Sequence, residues 1–474
     1  MTKNKQPVQL YLLSFCELWE RFGFYSIQAL ILLYFILKLN MSDHRGQQSF
    51  AIFNGLLYLA PIAGGWLANR FLGSKSSILV GSMFFGLGYI TLASSSAYFL
   101  WGLCLIIAGN GFFKPNISTL IGEHYTPNDP RRESGFTIFY MIINIGSLLP
   151  PLFIGAFSEH YGYSASFLFA ACGIGICLLT YLFSWQLLKQ SPNNAQTKYP
   201  FKKILMTTIG TGITLILCHQ ALLHPIMSNN LLTGCLFPVL SFLAYIGYHL
   251  SAQDRSRFIA CCLLILISIV FWALYVQVFS SITLFANRHM HMQFFHLPIS
   301  TTWVQSYNPL FILLLSPIFS QLWPYLIKKK RNPTIAQKFT LGVFFTSIAF
   351  FILYISIQFC AHQHHIPPIT FLCFSLCITI GELLISPIGL SMITELCPDH
   401  IKSTMMGIWF FALSFGFSVG GHLSSLSDIP KFCTPSESLS IYQHAFLIES
   451  LIALGFAILC WALCSKIQSL IQRS

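Results

Sequence analysis

Apolar residues in this chain come in long runs without strand-like alternation, such as Leu10–Ile36, Ile78–Leu92 and Cys261–Phe271, and polar residues gather in short breaks between them. A helix needs ~20 apolar residues to cross the hydrocarbon core. Only helices or closed barrels satisfy their own backbone groups there. The pattern predicts an all-α membrane protein with about 14 transmembrane helices. They fall at 9–37, 49–69, 77–95, 97–121, 134–157, 165–188, 204–223, 231–250, 258–286, 302–327, 336–360, 368–396, 402–424 and 439–464.

Composition strengthens this picture. Of 474 residues 55% are hydrophobic and only 8% charged, with mean hydropathy +0.68, whereas a soluble chain carries roughly 25% charged residues. The net charge of +12 on a soluble protein would suggest nucleic acid. Here its placement decides otherwise. With the N-terminus inside, twenty Lys and Arg fall on cytoplasmic segments and only Lys38, Arg45, Arg288 and Lys431 outside, as the positive-inside tendency requires. The expectation is a multi-pass protein of the cytoplasmic (inner) membrane, both termini cytoplasmic, surrounded by membrane lipids and without a nucleic-acid partner. The run Lys328, Lys329, Lys330, Arg331 reads as a topology anchor. The fifteen cysteines show no metal-ligand spacing, and inside apolar helices a thiol behaves as a small hydrophobe. The first apolar segment is too long for a cleavable signal peptide, and no small-residue cleavage site follows it. No cofactor or metal is expected.

Six spans precede a polar linker at 191–203, two more follow it, and six complete the chain. This predicts an N-terminal six-helix bundle over 1–188, a linker with two extra helices over 189–257, and a C-terminal six-helix bundle over 258–474. Two bundles around a linker is the plan of many transporters, which bind cargo near the midplane. The extra pair carries no carboxylate, Lys or Arg within 204–250 and reads as a packing element.

Ionisable groups at membrane depth cost ~2.5–3.5 kcal/mol or more and usually serve a pathway. The first helix holds Glu17, Glu20 and Arg21 on one face, with Tyr25 one turn on. Two carboxylates around one guanidinium leave a surplus acid able to exchange a proton, although a structural ion pair fits the same spacing. Lys114 lies deep in the fourth span and needs a partner or an anionic ligand; the helix-one acids are expected to supply one. Glu382 is the intramembrane acid of the second half, with no basic residue within several turns. Glu449 reads as packing, and His289, His291, His296, His362, His364 and His365 as solvated loop residues. Cations in the first half and an anion in the second complement a zwitterion. The residues thus point to a proton-coupled carrier of zwitterionic or anionic solutes.

These residues also carry a resemblance. Glu17-x-x-Glu20-Arg21-Phe22 resembles the first-helix signature of the proton-dependent oligopeptide transporters, a branch of the major facilitator superfamily. Gly109-Asn-Gly-Phe-Phe-Lys-Pro-Asn-Ile-Ser118 is similar to that family's fourth-helix motif. Phe139-Tyr-Met-Ile-Ile-Asn-Ile-Gly-Ser147 and Gly381-Glu-Leu-Leu-Ile-Ser-Pro387 are similar to its fifth- and tenth-helix motifs. The resemblance implies a major facilitator fold with an extra central helix pair, and import of di- and tripeptides with protons by alternating access. By position, Arg21, Tyr25 and Lys114 would hold the peptide carboxylate, and Glu382 its amine. Asn144 and Asn308 would bond its backbone, and Tyr58, Trp272 and Trp409 would line side-chain pockets. Glu17, Glu20, Arg21 and Lys114 would couple the proton.

Two departures stand out. Val276 precedes Gln277 where many relatives place an acid, and Asn69 occupies a usual Asp position before Arg70. The helix-one carboxylates become the main proton candidates. Another amine-bearing or anionic cargo (amino acid, peptide-like drug, nitrate-like anion) is the alternative within transport. An intramembrane enzyme lacks any nucleophile–base pair, and a non-transporting sensor would need a signalling domain.

Overall fold

The computed structural model describes residues 5–126, 129, 131–188, 201–294, 297–360 and 365–472. Lys3, Lys189, Lys198, His296, His362, His364, Arg473 and most of the polar linker lie outside them, as does the side chain of Asn69. Among the described residues the regular structure is helical apart from a two-residue strand pairing of Gln293–Phe294 with Leu297–Pro298.

The helices are α1 (Val8–Leu33), α2 (Asp43–Leu67), α3 (Ser74–Ser94), α4 (Phe99–Glu123), α5 (Arg132–Phe183), α6 (Phe201–Leu223), α7 (Pro225–Gly234), α8 (Leu236–His249), α9 (Ala252–Tyr275), α10 (Ser281–His289), α11 (Trp303–Lys328), α12 (Ile335–Cys360), α13 (Pro368–Leu396), α14 (Asp399–Ser424) and α15 (Pro435–Gln472). Among the described residues thirteen runs are long and apolar enough to cross a membrane. One of them, Ser134–Phe183, is 50 residues long, and Gly162 breaks it in the left-handed region with φ 81°. A side chain there would be strained. Counting that run twice gives the fourteen crossings expected.

Of the expected helices whose bounds differ, two bear on the fold. The second of the extra pair begins at Pro225 rather than 231, because proline suits the first turn of a helix, where its missing N–H is no loss. It continues past Cys235 as α8. The expected helix 258–286 is divided: α9 gives way to a 3-10 turn at Val276–Phe279, Ser280 leaves the helical region (φ −114°, ψ −99°), and α10 follows. Gln277 holds this break together and is fully buried. Its Nε2 donates to the carbonyls of Ala273 (3.2 Å) and Gly420 (2.9 Å), and its Oε1 accepts from Ser281 (2.7 Å) and Ser424 (2.8 Å). A non-helical turn at membrane depth is tolerated where buried partners take up its polar groups.

Contacts divide the chain into two compact units, one of 1–39 and 56–224, the other of 40–55 and 225–474. The boundary falls inside α2 and inside the extra pair, so α6 belongs with the first unit, where it packs on α4. In the first unit α1 lies along α5, and α3 along α4. Gly64 meets Gly111 with no room for a Cβ, and a Cβ on Gly111 would meet Ala60 O at 2.8 Å, the small-residue crossing that membrane helices use to approach. In the second unit α12 packs on α13 and α15, and α9 on α14.

The extra pair is less plain than its sequence. Asn229 of α7 is wholly buried. Its Nδ2 donates to Gln48 O (2.9 Å) and Gln48 Oε1 (2.7 Å), and its Oδ1 accepts from Ser418 Oγ (3.0 Å). This side-chain network ties α7 to the start of α2 and to α14.

Candidate functional site

In the first unit the charged face of α1 is organised around Arg21. Its Nε and Nη2 donate to Glu20 at 2.5 and 2.7 Å, the bidentate geometry a guanidinium favours. Glu17 Oε1 stands 3.4 Å from Arg21 Nε, while Glu17 Oε2 is buried without a hydrogen-bond partner. The Arg21 guanidinium also lies over the Phe24 ring, 4.7 Å from its centroid. All three charged side chains are at most 4% exposed. Glu20 is thus tightly engaged, and Glu17 is the acid with a free oxygen.

Lys114 takes a different position from the one expected. Among the described residues it has no carboxylate within ion-pair distance, because Arg21 draws both helix-one acids to itself. Its Nζ lies instead over the Tyr58 ring, 5.4 Å from the centroid, a contact that partly offsets lost hydration. One turn earlier, Asn110 Nδ2 donates to Leu57 O (2.7 Å), pinning α4 to α2 beside Tyr58. Asn110 sits in the fourth-helix motif but was not among the expected site residues; its signal was a buried amide one turn from a cation at membrane depth.

Asn144 is 5% exposed and its Nδ2 donates to Tyr140 O (2.9 Å) on its own helix. Two residues on, Gly146 presses against α1: a Cβ there would meet Leu18 O at 2.8 Å and Arg21 Cβ at 2.9 Å. Packing thereby sets α5 flush against the Arg21 turn. Tyr25 is half-buried with its ring edge-on to Phe24 at 5.3 Å.

In the second unit Asn308 Nδ2 donates to Glu382 Oε2 (2.7 Å) and to Thr379 Oγ1 (3.1 Å), and Tyr275 OH donates to Asn308 Oδ1 (3.3 Å). No described cation pairs with Glu382. Tyr275 and Thr379 are additions that the sequence reading lacked, although Tyr275 lies one turn from Trp272 and Thr379 one turn from Glu382. The two tryptophans are packed into helix seams: Trp409 is 2% exposed and lies on Gly389 with no room for a Cβ, and Trp272 Cβ would lie 2.6 Å from one on Gly416. Trp272 Nε1 has no hydrogen-bond partner among the described residues. Val276 is 1% exposed and fills the space over Gly420.

Each unit therefore presents its own chemistry. The first holds an Arg–carboxylate triad with one spare acid oxygen and a separate half-buried lysine. The second holds a carboxyl on an amide, with hydroxyls around it. The pattern that defines the POT family matches residues 75–439. The chain belongs to the POT family. It is 29% identical to dipeptide and tripeptide permease B of Salmonella typhimurium, over 96% of this chain and 94% of that one. It is 33% identical to a peptide transporter, YePEPT, of Yersinia enterocolitica, over 88% of each. Among solved structures, a peptide transporter POT in complex with sulfate superposes with TM-score 0.84 at 28% identity, covering 98% of this chain and 96% of that one. A structure described for substrate recognition in proton dependent oligopeptide transporters gives 0.85 at 27%, covering 98% and 100%. The major facilitator fold of this POT-family chain follows from these likenesses and its helices.

Proposed function

We propose that this POT-family chain imports di- and tripeptides together with protons across the cytoplasmic membrane, with both termini inside. One observation carries the reading. A half-buried lysine at membrane depth has no carboxylate within ion-pair distance among the described residues while Arg21 takes both neighbouring acids, so Lys114 is poised for an anionic group brought by the cargo. A cation at membrane depth without an ionic partner is costly, and a peptide carboxylate relieves that cost. Lys114 and Arg21 receive the carboxylate, with Tyr25 beside them. Glu382, held only through neutral donors, receives the peptide ammonium. Asn144 and Asn308 serve the peptide backbone, and Tyr58, Trp272 and Trp409 shape the surroundings of its side chains. The proton rides on the helix-one acids: of the two, Glu17 carries the unpartnered oxygen, and a proton there releases its hold on Arg21.

The deciding experiment is uptake of a labelled dipeptide into proteoliposomes with and without an inward proton gradient. Accumulation above equilibrium only with the gradient is expected. Equal accumulation after an uncoupler is added removes proton coupling, and no saturable uptake at all removes the peptide.

A further inference from the structure

The basic turn Lys328–Arg331 lies between α11 and α12. The sequence has no carboxylate residue between Asp254 and Glu382, so these exposed cations have no acidic neighbours along the chain. The turn is also fixed in shape. Lys330 adopts the left-handed conformation (φ 54°), with Lys330 N donating to Ile327 O (2.9 Å) and Arg331 N to Leu326 O (2.9 Å), which closes α11 in the manner of a Schellman motif. Thr334 and Gln337 then cap α12 reciprocally at 2.9 and 3.2 Å. Aromatic rings sit just inside: Lys329 lies 4.8 Å from the Tyr325 centroid and Lys338 4.1 Å from that of Trp323.

Deeper along α12 lies an independent feature. A groove of about 260 Å³ runs between α12 and α15, lined by Thr340, Leu341, Phe344, Ala457, Ile458 and Trp461. Its one hydroxyl is occupied, since Thr340 Oγ1 donates to Ala336 O (2.9 Å), so the lining presents hydrocarbon. Phe344, Ile458 and Trp461 are 40%, 62% and 58% exposed, which places the groove on the outer face of these helices. Leu341 and Phe344 stand six and nine residues into α12, about 9 and 14 Å along its axis at 1.5 Å per residue. That is the offset between a lipid headgroup and its acyl chain.

We propose that the N-terminal end of α12 holds an anionic phospholipid, its phosphate on the Lys328–Arg331 turn and an acyl chain in the α12–α15 groove. The basic end of the protein is the one that meets the anionic leaflet. Neither feature requires this alone: the cations would also hold free phosphate, and the groove any lipid chain. The occupant that satisfies both is an anionic phospholipid.

Trp461 is the probe. The full chain is placed in phosphatidylcholine liposomes doped with either brominated-chain phosphatidylglycerol or brominated-chain phosphatidylcholine at equal mole fraction. Its signal is taken as wild type minus Trp461→Phe. The expected result is at least threefold stronger quenching by the brominated anionic lipid, lost in the Lys328→Gln, Lys329→Gln, Lys330→Gln, Arg331→Gln variant and unmoved by millimolar inorganic phosphate. Equal quenching by the two lipids overturns the proposal, as does a preference that survives neutralisation of the turn. Abolition of the preference by inorganic phosphate would instead make the turn a phosphate site and overturn the lipid.

Discussion

Lys114 is held by an aromatic face where a carboxylate was expected, and that changes what its removal should do. Alanine at 114 leaves Arg21 with both acids, so the triad survives and the first unit still folds around it. What disappears is the free cation. We expect Lys114→Ala to abolish gradient-driven dipeptide uptake while weakening binding only about tenfold, read by uptake against equilibrium binding of the same dipeptide. A variant that still accumulates dipeptide would remove Lys114 from coupling. The sequence showed which charges lie in the membrane, because ionisable residues stand out in apolar helices. It did not show who pairs with whom, since Arg21 could be contested by Lys114 only in three dimensions. Val276 illustrates the same limit. Read as a missing acid, it invites Val276→Glu as a benign new proton site. The structure seats it on Gly420 in the α9–α14 seam, where a longer side chain overpacks and a carboxyl is buried. Val276→Glu should therefore lower the thermal unfolding midpoint and yield in detergent, whereas Val276→Ala should keep proton-driven uptake. If the Glu variant is as stable as wild type and only its pH profile moves, the seam has room that the packing denies.

At the scale of elements, the start of α2 is bound to α10, α15 and the segment after α14 by a polar cluster inside the second unit. Asp43 accepts from Arg288 at 2.6 and 2.7 Å, Arg288 also donates to Tyr442 OH (2.8 Å), and His44 Nδ1 lies 2.9 Å from Asp428 Oδ2. Ser425 also reaches His44 (3.1 Å), and Asp428 Oδ1 is buried without a partner. Asp428 lies outside the spans, and burial raises its pKa from 3.8 to about 6, against the pull of His44. A carboxyl that binds its proton more tightly when folded adds stability that is complete below pH 3.8 and lost as pH rises to about 6. The loss is at most roughly 3 kcal/mol, less because the side chain is 26% exposed. Unfolding midpoints from pH 4 to 7 should fall more steeply for wild type than for Asp428→Asn; parallel curves would mean the carboxyl is solvated. None of these partnerships was legible beforehand, since each joins residues more than 150 positions apart. Helix number was legible, because length and apolarity alone fix a span, whereas several ends lay up to eight residues from those expected. The break at Ser280 was not: it has neither glycine nor proline, and only the buried Gln277 network supports it.

For the whole molecule, the question is which group makes peptide movement depend on the proton. The second unit of this POT-family chain lacks the acid before Gln277, and its remaining midspan carboxyls are Glu382, assigned to the ammonium, and Glu449, buried in α15 with Oε2 unpartnered. On the proposed reading the coupling burden therefore falls on α1. Glu20 makes two short bonds to Arg21 and Glu17 one longer contact, so the acids differ in how far a proton disturbs them. Neutralising Glu20 removes the stronger tether, freeing Arg21 to hold a peptide carboxylate whatever the proton gradient. Glu20→Gln should thus lose most proton-driven accumulation, tenfold or more, yet keep counterflow exchange, which needs only binding and reorientation. Glu17→Gln should lose accumulation too, while its exchange becomes insensitive to pH, since the acid with the free oxygen is gone. Both variants should be measured beside wild type across pH 5.5–8 with and without an imposed gradient. Full gradient-driven accumulation in Glu20→Gln would place the coupling group elsewhere, and Glu449→Gln would then be the next variant to lose it.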